Sequence, residues 1–200
     1  MEILIATNNK HKILEIKHIL KNKNIKILSP DELNLKNIKP KENGKTYFEN
    51  ALKKAKTFAR ISNLPVLADD SGLEIDFLKG APGIYSSRFL RRGTARRAPT
   101  FHKKNITILK MMKDIPKKER RAKFVCHCVL ITPDGKIFDA RGECNGFIHN
   151  KIAGKNGFGY DPIFYIPRFK KTMAQLPEKV KNKISHRAKA FKKIEKHLKK

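Results

Sequence analysis

The sequence predicts an α/β fold, one unit of two lobes around a groove. Three observations carry this reading. Residues 2–6 (EILIA) form a short apolar strand that runs through a polar turn into a helix. A capped helix leads into a second apolar strand beginning at Val66. A long β run over residues 123–132 turns back on itself ahead of a C-terminal amphipathic helix. Two hundred residues suffice for one sizeable domain or two lobes on a shared core.

Each element has its own signal. Residues 7–12 (TNNKHK) are rich in helix-capping types, and Ile13, Ile16, Ile19 and Leu20 then share one helical face. A strand, polar turn and helix start can present backbone N–H groups to a phosphate, although many α/β proteins begin this way. A strand near residues 25–28 precedes an irregular polar stretch over 29–45. Thr46 and Glu49 match a capping box, and Phe48, Leu52, Ala55 and Ala59 share a face of the helix that follows. Residues 73–77 read as a further short strand, 80–83 (GAPG) as a loop and 105–112 as a helix. Pro133-Asp134-Gly135-Lys136 makes a hairpin turn, from which residues 136–141 return. Residues 154–160 (GKNGFGY) are a glycine-rich loop. From Ser185 a last helix turns Ala188, Phe191, Ile194 and Leu198 inward.

Composition narrows the function. Lys and Arg number 46 against 18 Asp and Glu, a net charge of +28 spread over both halves of the chain. A nucleic-acid binder concentrates such charge on one face or arm and interleaves aromatic platforms, and neither is visible here. The field favours anionic ligands in general; a basic RNA- or DNA-binding protein is the competing reading, supported by charge alone. No run of about 18 apolar residues suggests a membrane span, and MEILIATNNK turns polar too soon for a secretory signal. A cytoplasmic protein is expected. Cys126, Cys128 and Cys144 fit reduced cysteines, because strand alternation sets His127 on the face opposite Cys126 and Cys128.

The chemistry concentrates in a few stretches. In VLADDSGLEIDFLKGAPGIYSSRF (residues 66–89), an apolar run drives into the adjacent carboxylates Asp69 and Asp70. Buried acids require compensation by a cation, a metal or water. They suit Mg²⁺, which takes a few carboxylates together with substrate phosphates, and Glu42 is the second candidate ligand. If the strand continues, the two acids point to opposite sides; residues 69–72 (DDSG) equally suit a turn. In the loop at residues 157–162 (GFGYDP), two glycines bracket Phe158, which could stack on a base. A plain glycine loop reads the same. Ser185-His186-Arg187 opens a helix, for which N-capping is a sufficient explanation.

Taken together and in order, TNNKHK, ENGKTYFENALKKA, LADDSGLEIDFLKGAPGIYSSRF, GFGYDPIF and ISHR strongly resemble the inosine triphosphatase-like family, most closely its bacterial dITP/XTP pyrophosphatases. The resemblance spans nearly the whole chain. It implies an elongated mixed β-sheet with flanking helices, a homodimer, and Mg²⁺-dependent hydrolysis of ITP, dITP and XTP to monophosphate and pyrophosphate. It assigns Thr7, Asn8, Asn9 and Lys12, with Lys10 and His11 between them, to the phosphate-binding turn, and Lys54 to the phosphates. Glu42 and Asp70 become metal ligands, Asp70 also the general base, and Ser71 a substrate contact. Phe158, Gly159, Tyr160 and Asp161 match the base-binding loop, and Lys181, His186 and Arg187 the remaining nucleotide contacts. His186 and Arg187 are then candidate donors to the 6-oxo edge of the purine. An inactive relative is disfavoured, since every matched residue is present. One stretch departs: residues 90–104 (LRRGTARRAPTFHKK) carry no acid where the family has a rather acidic lead into a helix, which puts that helix start and part of the dimer contact in question.

Overall fold

The computed structural model describes residues 1–21, 24–90 and 100–198. Strands β1 (Glu2–Ile5), β2 (Lys26–Leu28), β3 (Val66–Ile75), β4 (Arg121–Ile131), β5 (Ile137–Ile148), β6 (Phe164–Ile166) and β7 (Lys171–Thr172) form one sheet in the order β2-β1-β3-β4-β5-β6-β7. β1 is parallel to β2 and β3, whereas β6 is antiparallel to β5 and β7, so the sheet is mixed as expected. The helices are α1 (Lys10–Ile19), α2 (Tyr47–Ser62), α3 (Phe101–Met111), α4 (Glu178–Ile184) and α5 (His186–Ile194). The chain divides into two compact units. One is Met1–Ser71, Cys126–Glu143 and Ser185–Lys200; the other is Gly72–Val125 and Cys144–Ile184.

In the first unit the two-residue period of the strands sorts side chains into two cores. Ile3, Ile5, Leu67, Cys126, Cys128 and Leu130 pack with Ile16 and Leu20 of α1 and Ala190, Phe191 and Ile194 of α5. Leu4, Ala6, Val66, Ala68, Val129 and Ile131 pack instead with Ala51, Ala55 and Phe58 of α2. Alternation along a strand is the cause, and it sends successive residues to opposite faces. His127 accordingly leaves the cysteines; its Nε2 lies 2.6 Å from Asp139 Oδ2 and its ring meets Phe48. All three cysteines are buried, and none is in a disulfide among the described residues. In the second unit Leu73, Ile75, Ile108, Met112, Phe124, Ile163 and Phe164 form the core.

Three boundaries differ from the sequence reading. Residues 69–72 do not turn: β3 runs unbroken from Val66 to Ile75, absorbing the separate strand expected at 73–77. The adjacent acids do not stop it because each finds partners on its own side of the sheet. α3 begins at Phe101, four residues ahead of the expected start, where the Thr100 side chain accepts from the Lys103 N–H at 3.3 Å. The basic segment 91–99, on which the question of that helix start partly rested, lies outside the described residues. β5 continues past residue 141 to Ile148, with Gly142, Cys144, Gly146 and Ile148 on its buried side. Glycines at two of those four positions hid the alternation.

Candidate active site

Parity along β3 decides what each acid meets. Asp69 shares the face of Leu67, toward α1 and α5; Asp70 shares the face of Ala68, toward α2. Asp69 Oδ2 accepts from Lys12 Nζ at 3.0 Å and from Arg187 Nη2 at 3.1 Å and Nε at 3.3 Å. Its side chain is wholly buried, and Oδ1 accepts no hydrogen bond among the described residues. Burial alone would raise this carboxyl's pKa; Lys12 and Arg187 overcome that and hold it well below the usual carboxylate range. Cys126, 3.9 Å away, is pushed up by burial and by the Asp69 charge. Asp69 is a fixed anion inside a cationic clamp.

Asp70 is less enclosed. Its Oδ1 lies 3.3 Å from Lys54 Nζ and its Oδ2 accepts from Asn50 Nδ2 at 3.1 Å. Asn50 and Lys54 are one turn apart on α2, so both reach the same strand face. Lys54 Nζ also meets Glu42 Oε1 at 3.0 Å. Burial disfavours the ammonium, but Asp70 and Glu42 outweigh it and raise the Lys54 pKa. Glu42 is the more open partner, its side chain 33% exposed. The helix carrying Asn50 and Lys54 starts at Thr46, whose Oγ1 accepts from the Glu49 N–H, while the Glu49 carboxylate accepts from the Lys45 N–H rather than closing the reciprocal bond of a capping box.

The turn before α1 is ordered by its own side chains. Thr7 Oγ1 accepts from the Asn9 N–H, and Asn9 Oδ1 accepts from the N–H groups of His11 and Lys12 at 3.0 and 3.3 Å. Asn8 Nδ2 donates to the Lys36 carbonyl, and Lys10 and His11 form the exposed first turn. Lys12 therefore leaves this turn directly toward Asp69. At the far end of the chain, Arg187 is 1% exposed: Nη1 donates to Glu15 Oε2 at 2.6 Å and Nη2 also to Ser71 Oγ at 2.8 Å. Ser185 Oγ, which caps α5, donates to Glu15 Oε1 at 3.1 Å. His186 is buried beside it. Thus Arg187, read from the sequence as a donor to a base, also braces Asp69 and Ser71.

In the second unit, the loop at 157–161 closes on Asp161. Gly157 and Gly159 both take positive φ, at +74° and +69°. Asp161 Oδ2 accepts from the Phe158 N–H at 2.9 Å and from Lys181 Nζ at 2.6 Å, and Lys181 Nζ sits 4.8 Å from the Phe158 ring centroid. Tyr160 is buried and donates to the Ser86 carbonyl at 2.8 Å; burial pushes its phenol pKa up. Asn105 Nδ2 donates to the Gly159 carbonyl at 3.1 Å, tying the loop to α3. The predicted residues Phe158, Gly159, Tyr160, Asp161 and Lys181 are therefore brought together here, and Thr7–Lys12, Glu42, Lys54, Asp70, Ser71, His186 and Arg187 all belong to the first unit.

A model of the Ham1 family matches residues 3–197. The chain belongs to the Ham1 family. It is 42% identical over 204 residues to a protein from Clostridium perfringens named dITP/XTP pyrophosphatase, covering 99% of this chain and 97% of that one. Among solved structures it resembles the Ham1 protein of Staphylococcus aureus, with a TM-score of 0.83 at 37% identity over 99% of this chain and 98% of that one. A HAM1 protein from Coxiella burnetii gives 0.85 at 36% identity, with the same coverage of each chain.

Sequence reasoning missed Glu15, Asn50 and Asn105. Each carried the same signal, a polar residue at a position of helical spacing among buried apolar ones. Asn50 falls among Tyr47, Ala51, Ala55 and Phe58, Glu15 beside Ile16, and Asn105 near Ile108. Buried polar groups at such positions need partners, and here these are Arg187, Asp70 and the Gly159 carbonyl.

Proposed function

We propose that this chain is a Mg²⁺-dependent pyrophosphatase acting on the non-canonical purine nucleoside triphosphates ITP, dITP and XTP, and releasing monophosphate and pyrophosphate. One observation carries it: a pair of adjacent carboxylates divided by strand parity into a neutralised anion, Asp69, and a less enclosed acid, Asp70, with Lys54 and Glu42 beside it. The names of the family relatives supply the substrate class.

Glu42 and Asp70 suit Mg²⁺. Both are hard oxygen donors, and Lys54 at 3.0 and 3.3 Å shows that a cation is already accommodated there. Among the described residues no group of three or more His, Cys, Asp or Glu side chains could hold a metal. Mg²⁺ uses one or two carboxylates and completes its shell with water and phosphate. When bound, it would neutralise phosphate charge as the anhydride opens. The chain's own residues do the rest. Asp70 orients a water and takes its proton as oxygen bonds to the α-phosphorus and the α–β anhydride breaks. Lys12 and Lys54 stabilise the phosphate charge. The resemblance supports Phe158–Asp161 with Lys181 as the base loop, and His186 and Arg187 as further nucleotide contacts. It also supports a homodimer and a cytoplasmic setting, with no specific nucleic acid as partner.

The test is product analysis with XTP and Mg²⁺, wild type beside Asp70→Asn. Pyrophosphate should appear with the monophosphate, and the variant should lose on the order of 10²–10⁴ in kcat. Inorganic phosphate as the sole product, or full turnover by the variant, would overturn the reading.

A further inference from the structure

Asn50 is 1% exposed on α2 and makes two hydrogen bonds in opposite directions. Its Oδ1 accepts from the Gly44 N–H at 2.8 Å and its Nδ2 donates to Asp70 Oδ2 at 3.1 Å. The orientation of the amide is decided by these neighbours. A backbone N–H can only donate, so Oδ1 must face Gly44, and Nδ2 then faces the carboxylate. Gly44 approaches closely enough that a Cβ there would lie 2.7 Å from Glu49 Cβ and 2.8 Å from Asn50 Oδ1. The chain two residues earlier carries Glu42.

From this geometry we infer that Asn50 is a positioning residue: one amide fixes the carboxylate of Asp70 and clamps the Glu42-bearing loop, setting the two acids in one arrangement. The inference rests on the reading of Asp70 and Glu42 as the acid centre. Lys54 bridges the same two carboxylates, but its four-carbon stem is flexible, whereas the Asn side chain has two torsions, both restrained by hydrogen bonds. With Asp70 Oδ1 held by Lys54 and Oδ2 by Asn50, the plane of the carboxylate is set before any ligand arrives. Glycine at 44 is the only residue that lets the loop come this near without displacing Asn50.

Three variants separate the parts. Asn50→Leu keeps the volume and removes both bonds. Asn50→Asp keeps the acceptor for Gly44 and sets a like charge against Asp70. Gly44→Ala pushes the loop away and leaves the Asn50–Asp70 contact. The measurements are hydrogen exchange of the Gly44 amide in metal-free protein, Mn²⁺ affinity by calorimetry, and kcat and KM for XTP. In Asn50→Leu, Gly44 exchange should accelerate at least about tenfold, while Mn²⁺ affinity and kcat fall about 10- to 100-fold and KM stays within about threefold. Asn50→Asp should keep Gly44 protected yet lose kcat, and Gly44→Ala should lose Mn²⁺ affinity. Unchanged Gly44 exchange and unchanged Mn²⁺ affinity in a folded Asn50→Leu protein would overturn the inference. If that variant does not fold, unchanged kcat in Asn50→Asp together with unchanged Mn²⁺ affinity in Gly44→Ala overturns it instead. Should the wild type release no pyrophosphate from XTP, the proposed activity fails, while Gly44 exchange and Mn²⁺ binding still decide the role of Asn50.

Discussion

Asp69 and Asp70 are neighbours in sequence and opposites in environment. Asp69 has two cationic partners and no exposure, so its removal leaves Lys12 and Arg187 facing each other's charge inside the first unit. Breaking a buried pair from one side costs about 3–5 kcal/mol, and Asp69→Asn should lower stability by that order in urea unfolding at pH 7. The pH dependence has a definite sign. A carboxyl held below its ordinary value stays ionised in the folded state where the unfolded chain takes up a proton. Its contribution is therefore complete above about pH 4 and declines as the pH falls below it. The gap between wild type and Asp69→Asn should narrow on acidification, and a gap that widens would refute the clamp. At this scale the sequence showed that two adjacent acids must be compensated and would diverge on a continuing strand. It did not show that Arg187, from the far end of the chain, supplies part of the compensation directly while also pairing with Glu15, because those pairings are fixed by packing and have no local pattern.

At the scale of elements, helix caps and apolar periodicity were legible. Thr46, Asn9 and Ser185 cap the helices expected at those places, and the buried face of α5 follows its spacing. Strand ends were less legible. β3 passes through a run of turn-forming residues because tertiary partners outweigh local preference, and β5 hides its inward face behind glycines. Those glycines mark close approach. A Cβ at 142 would overlap the His186 carbonyl oxygen and press on Lys189 Cβ, so Gly142 is where α5 lies down on β5. Gly142→Ala should cost about 1–3 kcal/mol as an overpacked contact, read as a lower urea midpoint at constant slope. An unchanged midpoint would show that α5 shifts freely and that its side chains are not held by this contact.

Over the whole molecule, the strands follow the order β2-β1-β3-β4-β5-β6-β7 in a mixed sheet, and none of the described helices is long and apolar enough to cross a membrane. The order of the strands was beyond the sequence, since register and neighbour choice depend on contacts distant in the chain; the resemblance to a known family implied a mixed sheet but not its strand order. The net charge of +28 acts at this scale too. A field of that sign speeds capture of any triphosphate and is screened beyond about 8 Å at physiological salt, so it favours capture of every nucleotide alike. Discrimination must come from groups in contact with the base. The most direct measurement is therefore kcat/KM for pyrophosphate release from ITP and XTP against ATP and GTP, with Mg²⁺, at low and high salt. All four values should fall as salt rises, while the preference for ITP and XTP stays at about 10²-fold or more. Equal values for the four nucleotides, or a preference that vanishes with salt, would contradict a pyrophosphatase selective for non-canonical purines.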